Sequence, residues 1–174
     1  MSNHELNTDP SIPAFRLFRP NNPVVALGFA TKYLFTKPPF ANLSFAECTN
    51  ALLGKIERGH YWFVVDSSND IQGFLGWELT TEEKAESWLQ GGLAPFGEEN
   101  KVGDCIVLSA YAANSSRVHR YLWDRMREIM KGKRILYFKR QYKNGRLRPG
   151  RLIINAFVSN HIERNASASV PVQE

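Results

Sequence analysis

The stretch that decides the fold is Gly103–Phe157. It holds three apolar runs, Cys105-Ile-Val-Leu-Ser-Ala-Tyr-Ala-Ala113, Ile135-Leu-Tyr-Phe138 and Leu152-Ile-Ile-Asn155. Short apolar runs of this kind are typical of buried strands. Asn114-Ser-Ser-Arg117 follows the first run and opens an amphipathic helix that stops before Gly132. The segment therefore predicts a strand, a polar loop, a helix and two more strands, the last two joined by the basic turn 139–151.

The N-terminal half predicts two helices. Pro23 suits the first turn of a helix, which Pro38 and Pro39 then end. Ser44 and Glu47 have the spacing of a capping box at the start of a second helix, and Gly59 is a natural end for it.

A hairpin and a short helix connect these two halves. His60–Val65 and Ile71–Trp77 are rich in strand-forming residues and flank the turn-forming segment 66–70. Thr80 and Glu83 predict the cap of a short helix through Leu89. The element order indicates a single α/β (α+β) domain over 21–158, with a mixed central sheet flanked by helices. Residues 1–20 and 159–174 are polar, and we expect a flexible N-terminal arm and a flexible C-terminal tail.

Composition narrows the class of protein. A chain of 174 residues with 43% hydrophobic and 22% charged residues is typical of one soluble globular domain. The net charge is +5, and basic residues are concentrated in 117–151, where Asp124 and Glu128 are the acids. A one-sided basic face favours an acidic partner. Few aromatics are interleaved with these basic residues and no nucleic-acid motif is present, so nucleic acid is unlikely as that partner.

Cysteine usage and the N-terminus predict a cytoplasmic protein without a bound metal. Cys48 and Cys105 are the two cysteines, and they form no CxxC or Cys/His cluster. Met1–Leu6 carries no basic segment followed by an apolar one, and no apolar run is long enough to span a membrane.

A set of motifs, in a shared order from Leu27 to Phe157, resembles the RTX toxin-activating lysine acyltransferases, a hemolysin-activating family with a GNAT-like fold. The matching motifs are Leu27-Gly28, Pro38, Gly59-His-Tyr-Trp-Phe-Val-Val65, Gly76-Trp77-Glu-Leu, the acidic helix 82–89, Gly103-Asp104 and the basic turn Tyr142-Lys-Asn-Gly-Arg146. The resemblance implies a cytoplasmic enzyme that transfers a fatty acyl group from acyl carrier protein to lysines of a partner protein such as an RTX toxin. It also implies a homodimer and no permanently bound cofactor.

Two positions depart from the family pattern, and both are positions where the family has a catalytic residue. Where the family has its catalytic histidine this chain has Phe40, and where it has its catalytic aspartate the best match is Ser109. Ser109 and His60 are the remaining candidate catalytic residues. Each has a structural alternative: a small hydroxyl bonded to backbone for Ser109, and a histidine with a structural hydrogen bond for His60. His119 lies in the first turn of the predicted helix, where its alternative is a solvated surface histidine.

The predicted loop and helix start form the candidate donor site. Backbone N–H groups at a helix start favour an anion such as phosphopantetheine, and basic side chains nearby strengthen that preference. The residues in this position are Asn114, Ser115, Ser116, Arg117 and Arg120. The loop lacks the glycine-rich acetyl-CoA motif of ordinary GNAT enzymes, which favours delivery by a carrier protein. An ordinary helix cap with solvated arginines explains the same residues.

Three functions remain open at the level of sequence. The first is lysine acylation from acyl carrier protein. The second is a catalytically degenerate binding or regulatory module on the same fold, which Phe40 and Ser109 favour. The third is a GNAT N-acyltransferase that uses acyl-CoA.

Overall fold

The computed structural model describes residues 14–38, 40–92, 102–142, 144–155, 158–160 and 164. The elements in chain order are β1 (Phe15–Phe18), α1 (Pro23–Leu34), a 3-10 turn (Phe40–Asn42), α2 (Phe45–Glu57), β2 (Tyr61–Asp66), β3 (Ile71–Thr80), α3 (Glu82–Leu89), β4 (Cys105–Ala113), α4 (Ser116–Met130), β5 (Ile135–Gln141) and β6 (Leu147–Ile153).

The six strands form one mixed sheet in the order β1-β2-β3-β4-β5-β6. Every neighbouring pair is antiparallel except β4 and β5, which run parallel. A parallel pair needs a crossover connection, and α4 supplies it. The predicted mixed sheet flanked by helices is thus confirmed, and its arrangement is compatible with a GNAT-like α+β fold.

The helices cover both faces of the sheet. Ala30 and Leu34 of α1 and Leu52 of α2 pack with Phe63 and Phe74 on one face. On that same face α3 covers β4 and β5 through Ala85 and Trp88, which pack with Val107 and Tyr137. On the other face Val118, Leu122 and Met126 of α4 pack with Leu75 and Ile106. Because successive residues of a strand point to opposite faces, Phe74 and Leu75 belong to different clusters.

Side-chain caps begin the helices as the sequence predicts, with one correction. Ser44 and Glu47 form the complete capping box of α2, and Gly59 after the helix has φ 71°. The cap of α3 is Thr81, which accepts from the Lys84 N–H, and not Thr80. Thr80 is instead the last residue of β3, buried and paired with Cys105.

The prediction of a flexible N-terminal arm over 1–20 is wrong for Phe15–Phe18. These residues form β1, an edge strand that pairs antiparallel with β2. The strand is held by aromatic contacts, since Phe15 lies 5.9 Å from Tyr121 and Phe18 lies 6.3 Å from Phe63, measured between ring centroids. The rest of the arm through residue 13 and most of the tail over 159–174 lie outside the described residues.

The basic segment 139–151 is largely strand, not a long turn. β5 extends to Gln141, β6 begins at Leu147, and the short turn between them is closed by the Tyr142 N–H on the Arg146 carbonyl. Pro149 is compatible with β6 because this strand lies at the edge of the sheet. The hairpin therefore presents its basic side chains along two strands.

Two glycines give a matched test of this packing. A Cβ at Gly103 would lie 2.4 Å from the Thr80 N and 2.5 Å from the Thr80 O, whereas a Cβ at Gly28 on α1 meets nothing within 4 Å. We expect Gly103→Ala to lower the free energy of unfolding by about 1–3 kcal/mol through overpacking. Gly28→Ala should raise it by about 0.5–1 kcal/mol through helix propensity. Guanidinium unfolding measures both, and equal effects of the two substitutions would contradict the close approach at Gly103.

Candidate functional site

The strands β4 and β5 stop pairing before either strand ends, and we call the region beyond the last pair the cleft. Their parallel pairing covers Cys105–Leu108 against Ile135–Phe138 and then stops, although β4 continues to Ala113 and β5 to Gln141. Beyond Leu108, the backbone groups of β4 on this side have no strand partner among the described residues. Unpaired strand edges bind extended groups that carry amides or carbonyls. The opening lies at the carboxyl end of β4, where the chain turns into α4.

Ser109 lies where the two strands separate. The pairing of β4 with β3 jumps from Ala110 opposite Gly76 to Leu108 opposite Trp77, so Ser109 is the extra residue of a β-bulge. Bulges leave one residue outside the ladder and are common next to active sites. The Ser109 Oγ is buried and has no hydrogen-bond partner among the described residues. The structural alternative for Ser109, a small hydroxyl bonded to the backbone, therefore does not describe this side chain.

The loop before α4 is built mostly by internal hydrogen bonds. The Asn114 Oδ1 accepts from the Lys37 Nζ at 2.9 Å and lies 3.0 Å from the Tyr33 hydroxyl, and its Nδ2 donates to the Gln72 Oε1 at 3.1 Å. Ser115 caps α4 by accepting from the Val118 N–H at 3.3 Å. Asn114 thus fastens the end of β4 to α1 and β3, and Ser115 has the ordinary capping role.

The remaining predicted donor-site residues form the outer surface of the α4 start. Ser116 is the first residue of the helix and is exposed. The Arg117 guanidinium lies 5.6 Å from the centroid of the Phe15 ring, on the β1 side of α4. Arg120 is exposed and forms no ion pair with a described residue. Arg117 is also exposed and forms no ion pair with a described residue, so both arginines remain available to an anionic donor.

An aromatic row on the α4 face bridges the diverging strands. Trp123 meets His119 at 6.1 Å and Phe138 at 6.4 Å, measured between ring centroids. The Tyr111 hydroxyl lies 2.5 Å from the His119 Nδ1. Burial raises the pKa of Tyr111, and burial together with Arg140 lowers the pKa of His119. At neutral pH the pair therefore holds a protonated phenol beside a neutral imidazole.

The contact between Tyr111 and His119 is not predicted by the sequence. His119 is exposed, as expected of a surface residue, and it also hydrogen-bonds to a strand residue beside the cleft. The available signal was the i, i+4 spacing of His119 and Trp123, which places both on one side of α4. Which side faces β5 is set only by the crossover.

The structure does not join His60 and Ser109 as a catalytic pair. The His60 ring stacks on Trp77 with centroids 5.7 Å apart, and its backbone carbonyl accepts from the Trp77 N–H. Neither its Nδ1 nor the Ser109 Oγ has a hydrogen-bond partner among the described residues, so the two do not bond to each other. Burial, followed by Arg58, Arg19 and Lys133, lowers the pKa of His60 to about 4.

The three family-equivalent positions are structural in this chain. Phe40 is 6% exposed and belongs to the core beneath α1 and α2. Gly103 allows the backbone to approach Thr80, as described above. The Asp104 carboxylate accepts from the Arg134 Nη1 at 2.9 Å and its carbonyl accepts from the Arg134 N–H, which joins the starts of β4 and β5.

A buried charged cluster lies between α2 and β3, and the sequence analysis missed it. Lys55 is 2% exposed and Glu78 is 1% exposed, with 3.1 Å between the Lys55 Nζ and the Glu78 Oε1. Arg58 contacts the second carboxylate oxygen. Burial lowers the pKa of Lys55, which Glu78 opposes. Gly76 makes room, because a Cβ there would lie 2.9 Å from the Lys55 Cδ. The signal was the position of Lys55 on the same face as Cys48 and Leu52.

Several absences hold for the part of the chain that the structure describes. No group of three or more His, Cys, Asp or Glu side chains could hold a metal ion there. In the same residues, every helix is too short or too polar to cross a membrane. The Cys105 thiol is buried, and burial followed by Asp104 raises its pKa to about 11, so it remains protonated.

The geometry of the site is the basis for the functional argument, because comparison with known proteins found no match. No protein-family model and no curated protein matches this sequence.

The lowered pKa of His60 predicts acid sensitivity. Between pH 6.5 and about 4 the folded chain keeps this imidazole neutral while the unfolded chain binds a proton, so stability is lost as the pH falls through this window. We expect His60→Gln to flatten the fall of the unfolding free energy over that range, measured by urea unfolding at a series of pH values. His119→Gln, at an exposed position, is the control and should flatten it less. An unchanged slope in His60→Gln would contradict the burial of this ring.

The buried cluster predicts a large effect of removing its single acid. Glu78→Gln leaves Lys55 and Arg58 buried without a counter-charge, and we expect a loss of about 3–5 kcal/mol in the free energy of unfolding. The double variant Lys55→Met with Glu78→Gln removes one of the two unpaired cations at similar volume and should recover part of that loss. Guanidinium unfolding compares the two, and a double variant no more stable than Glu78→Gln would argue against the ion pair.

Proposed function

We propose that this protein is an acyltransferase that binds an acyl thioester at the cleft between β4 and β5 and passes the acyl group to a lysine amine of a partner protein. The observation that carries the proposal is the early end of the β4–β5 pairing at Leu108, directly before the bulge at Ser109 and the start of α4. Free backbone N–H groups along β4 suit the amides and the carbonyl of the donor, since hydrogen bonds to a developing oxyanion favour the transition state.

Tyr111 and His119 supply the proton transfers in this proposal. The amine must lose a proton as its nitrogen bonds to the thioester carbon, and the departing thiolate must gain one as the carbon–sulfur bond breaks. In the tautomer with the proton on Nδ1, His119 donates to the Tyr111 oxygen, which leaves Nε2 free to accept from the amine. The Tyr111 phenol gives its proton to the departing thiolate, and the imidazolium formed at His119 passes its Nδ1 proton to the Tyr111 oxygen, so the pair ends the step neutral.

Charge supports a carrier protein as the donor. Arg120 lies exposed in the first turns of α4, and the hairpin of β5 and β6 exposes Arg140, Arg146 and Arg148. An acidic carrier that delivers its acyl chain on phosphopantetheine complements this surface. Acyl-CoA is the alternative donor. For the acceptor we retain a protein lysine, with an RTX protein as the expected class, in the cytoplasm.

A homodimer remains part of the proposal. Outward-facing apolar residues on α1, directly after it and at the start of α2 support it, because Val24 is 77% exposed, Phe35 58% and Phe45 76%. An exposed apolar patch larger than a few hundred Å² marks a protein interface, so the dimer proposal requires these residues to belong to one patch.

A non-catalytic binding module is the second candidate. The observations that favour it are the burial of Phe40 in the core and the separation of His60 from Ser109. A binding module would retain donor and partner affinity without turnover, which the following assay separates from catalysis.

The assay mixes the full chain with acyl carrier proteins loaded with short, medium and long acyl chains, and with a candidate acceptor encoded beside it. We expect an acyl-mass gain on the acceptor by intact mass spectrometry. Tyr111→Phe and His119→Gln should each slow this gain by about 10²-fold or more, the range of general acid–base catalysis. Loss of the proton relay lowers the rate without preventing donor binding.

Tyr121→Phe is the matched control, since this tyrosine of α4 faces Phe15 on the other side of the helix. It should retain the wild-type rate. Faster reaction with acyl-CoA than with the carrier protein would select the alternative donor. The absence of mass gain with every donor, or full activity of both cleft variants, would refute the catalytic proposal.

A further inference from the structure

A second concave site lies on the opposite face of the sheet from α4. An open cavity of about 680 Å³ is bordered by the C-terminal half of α1, the strands β1 and β2, and the turn from β2 into β3. Sites for small ligands typically have volumes of 300–1,000 Å³. Asn114 lines one end of it, and the other lining residues lie outside the cleft between β4 and β5. The cavity is therefore a separate site.

The inner wall of the cavity is apolar. Phe18, Phe29, Val65 and Ile71 line it. Phe29 packs edge-on against Phe63 at 6.3 Å between centroids, yet 38% of its surface stays exposed. An aromatic side chain that is fixed on one side and exposed toward a cavity offers a surface for an apolar ring or chain.

The rim of the cavity carries an excess of positive charge. Arg16, Lys32 and Lys37 line it together with one acid, Asp70. The Arg16 guanidinium donates a hydrogen bond to the side chain of Asn69, a residue with φ 67°. The Lys37 ammonium donates to the Asn114 side chain and lies 5.2 Å from the Tyr33 ring centroid. Lys32 forms no hydrogen bond or ion pair with any residue that the structure describes. Two of the cations are thus fixed in place and a third is free to bind.

We propose that this cavity binds an amphipathic anion, an apolar ring or short chain that ends in a carboxylate. The apolar body lies against Phe18, Phe29 and Ile71, and the carboxylate is bound by Lys32 with Lys37 beside it. Three cations against one carboxylate favour a negative head group, and the apolar wall favours an ion that carries an apolar body. This inference does not depend on the acyltransferase proposal.

Two probes with the same apolar chain and opposite charge test the proposal. Octanoate and octylamine are titrated into the full chain by isothermal calorimetry, with backbone amide NMR to locate binding. We expect saturable one-to-one binding of octanoate, with shifts at Phe29, Tyr33 and Ile71, and at least about tenfold weaker binding of octylamine. Equal affinity for the two probes, or octanoate shifts confined to other residues, would overturn the proposal.

Two substitutions and two controls complete the test. Lys32→Gln should weaken octanoate binding by about tenfold, the effect of losing one hydrogen bond to a charged group. Lys131→Gln, at an exposed lysine after α4, should leave it unchanged. Thr36→Trp fills the cavity from its exposed rim and should abolish binding, whereas Tyr121→Phe on α4, outside the cavity lining, should not affect it. Unchanged binding in both Lys32→Gln and Thr36→Trp would refute this site.

Discussion

The parallel pairing of β4 with β5 is the constraint on which the rest of the structure depends. Two parallel strands cannot be joined by a tight turn, so the chain must cross one face of the sheet, and α4 does so. That crossover puts the start of α4 at the carboxyl end of β4. It also brings His119 and Trp123 beside Tyr111 and Phe138, so the cleft and its aromatic row follow from one strand pair.

The other face of the sheet is divided into two apolar clusters, with buried charge beside them. α1 and α2 cover β2 and β3, and α3 covers β4 and β5. The Lys55–Glu78–Arg58 cluster fastens α2 to β3, and Gly76 provides the space for the lysine stem. A cluster with two cations and one acid is stable only while the acid stays in place, because a buried charge without a partner is costly.

Asn114 connects the two candidate binding regions. It ends β4 beside the cleft, and its side chain is bound by Tyr33 and Lys37, which line the cavity under α1. Asn114, which is predicted to contact a donor, is also a junction between α1, β3 and the start of α4. The cavity and the cleft therefore both border on Asn114.

Local signals in the sequence determined the helices, most of the strands and the caps, because periodicity and capping depend on neighbouring residues. The capping box of Ser44 with Glu47 and the cap at Ser115 are examples. The sequence also singled out Ser109, but not its place in a bulge. Tertiary structure alone decided that Phe15–Phe18 joins the sheet, that Lys55 meets Glu78, and that Tyr111 meets His119. Those contacts join residues on different elements, and their partners are fixed by strand order and helix placement, which no local pattern specifies.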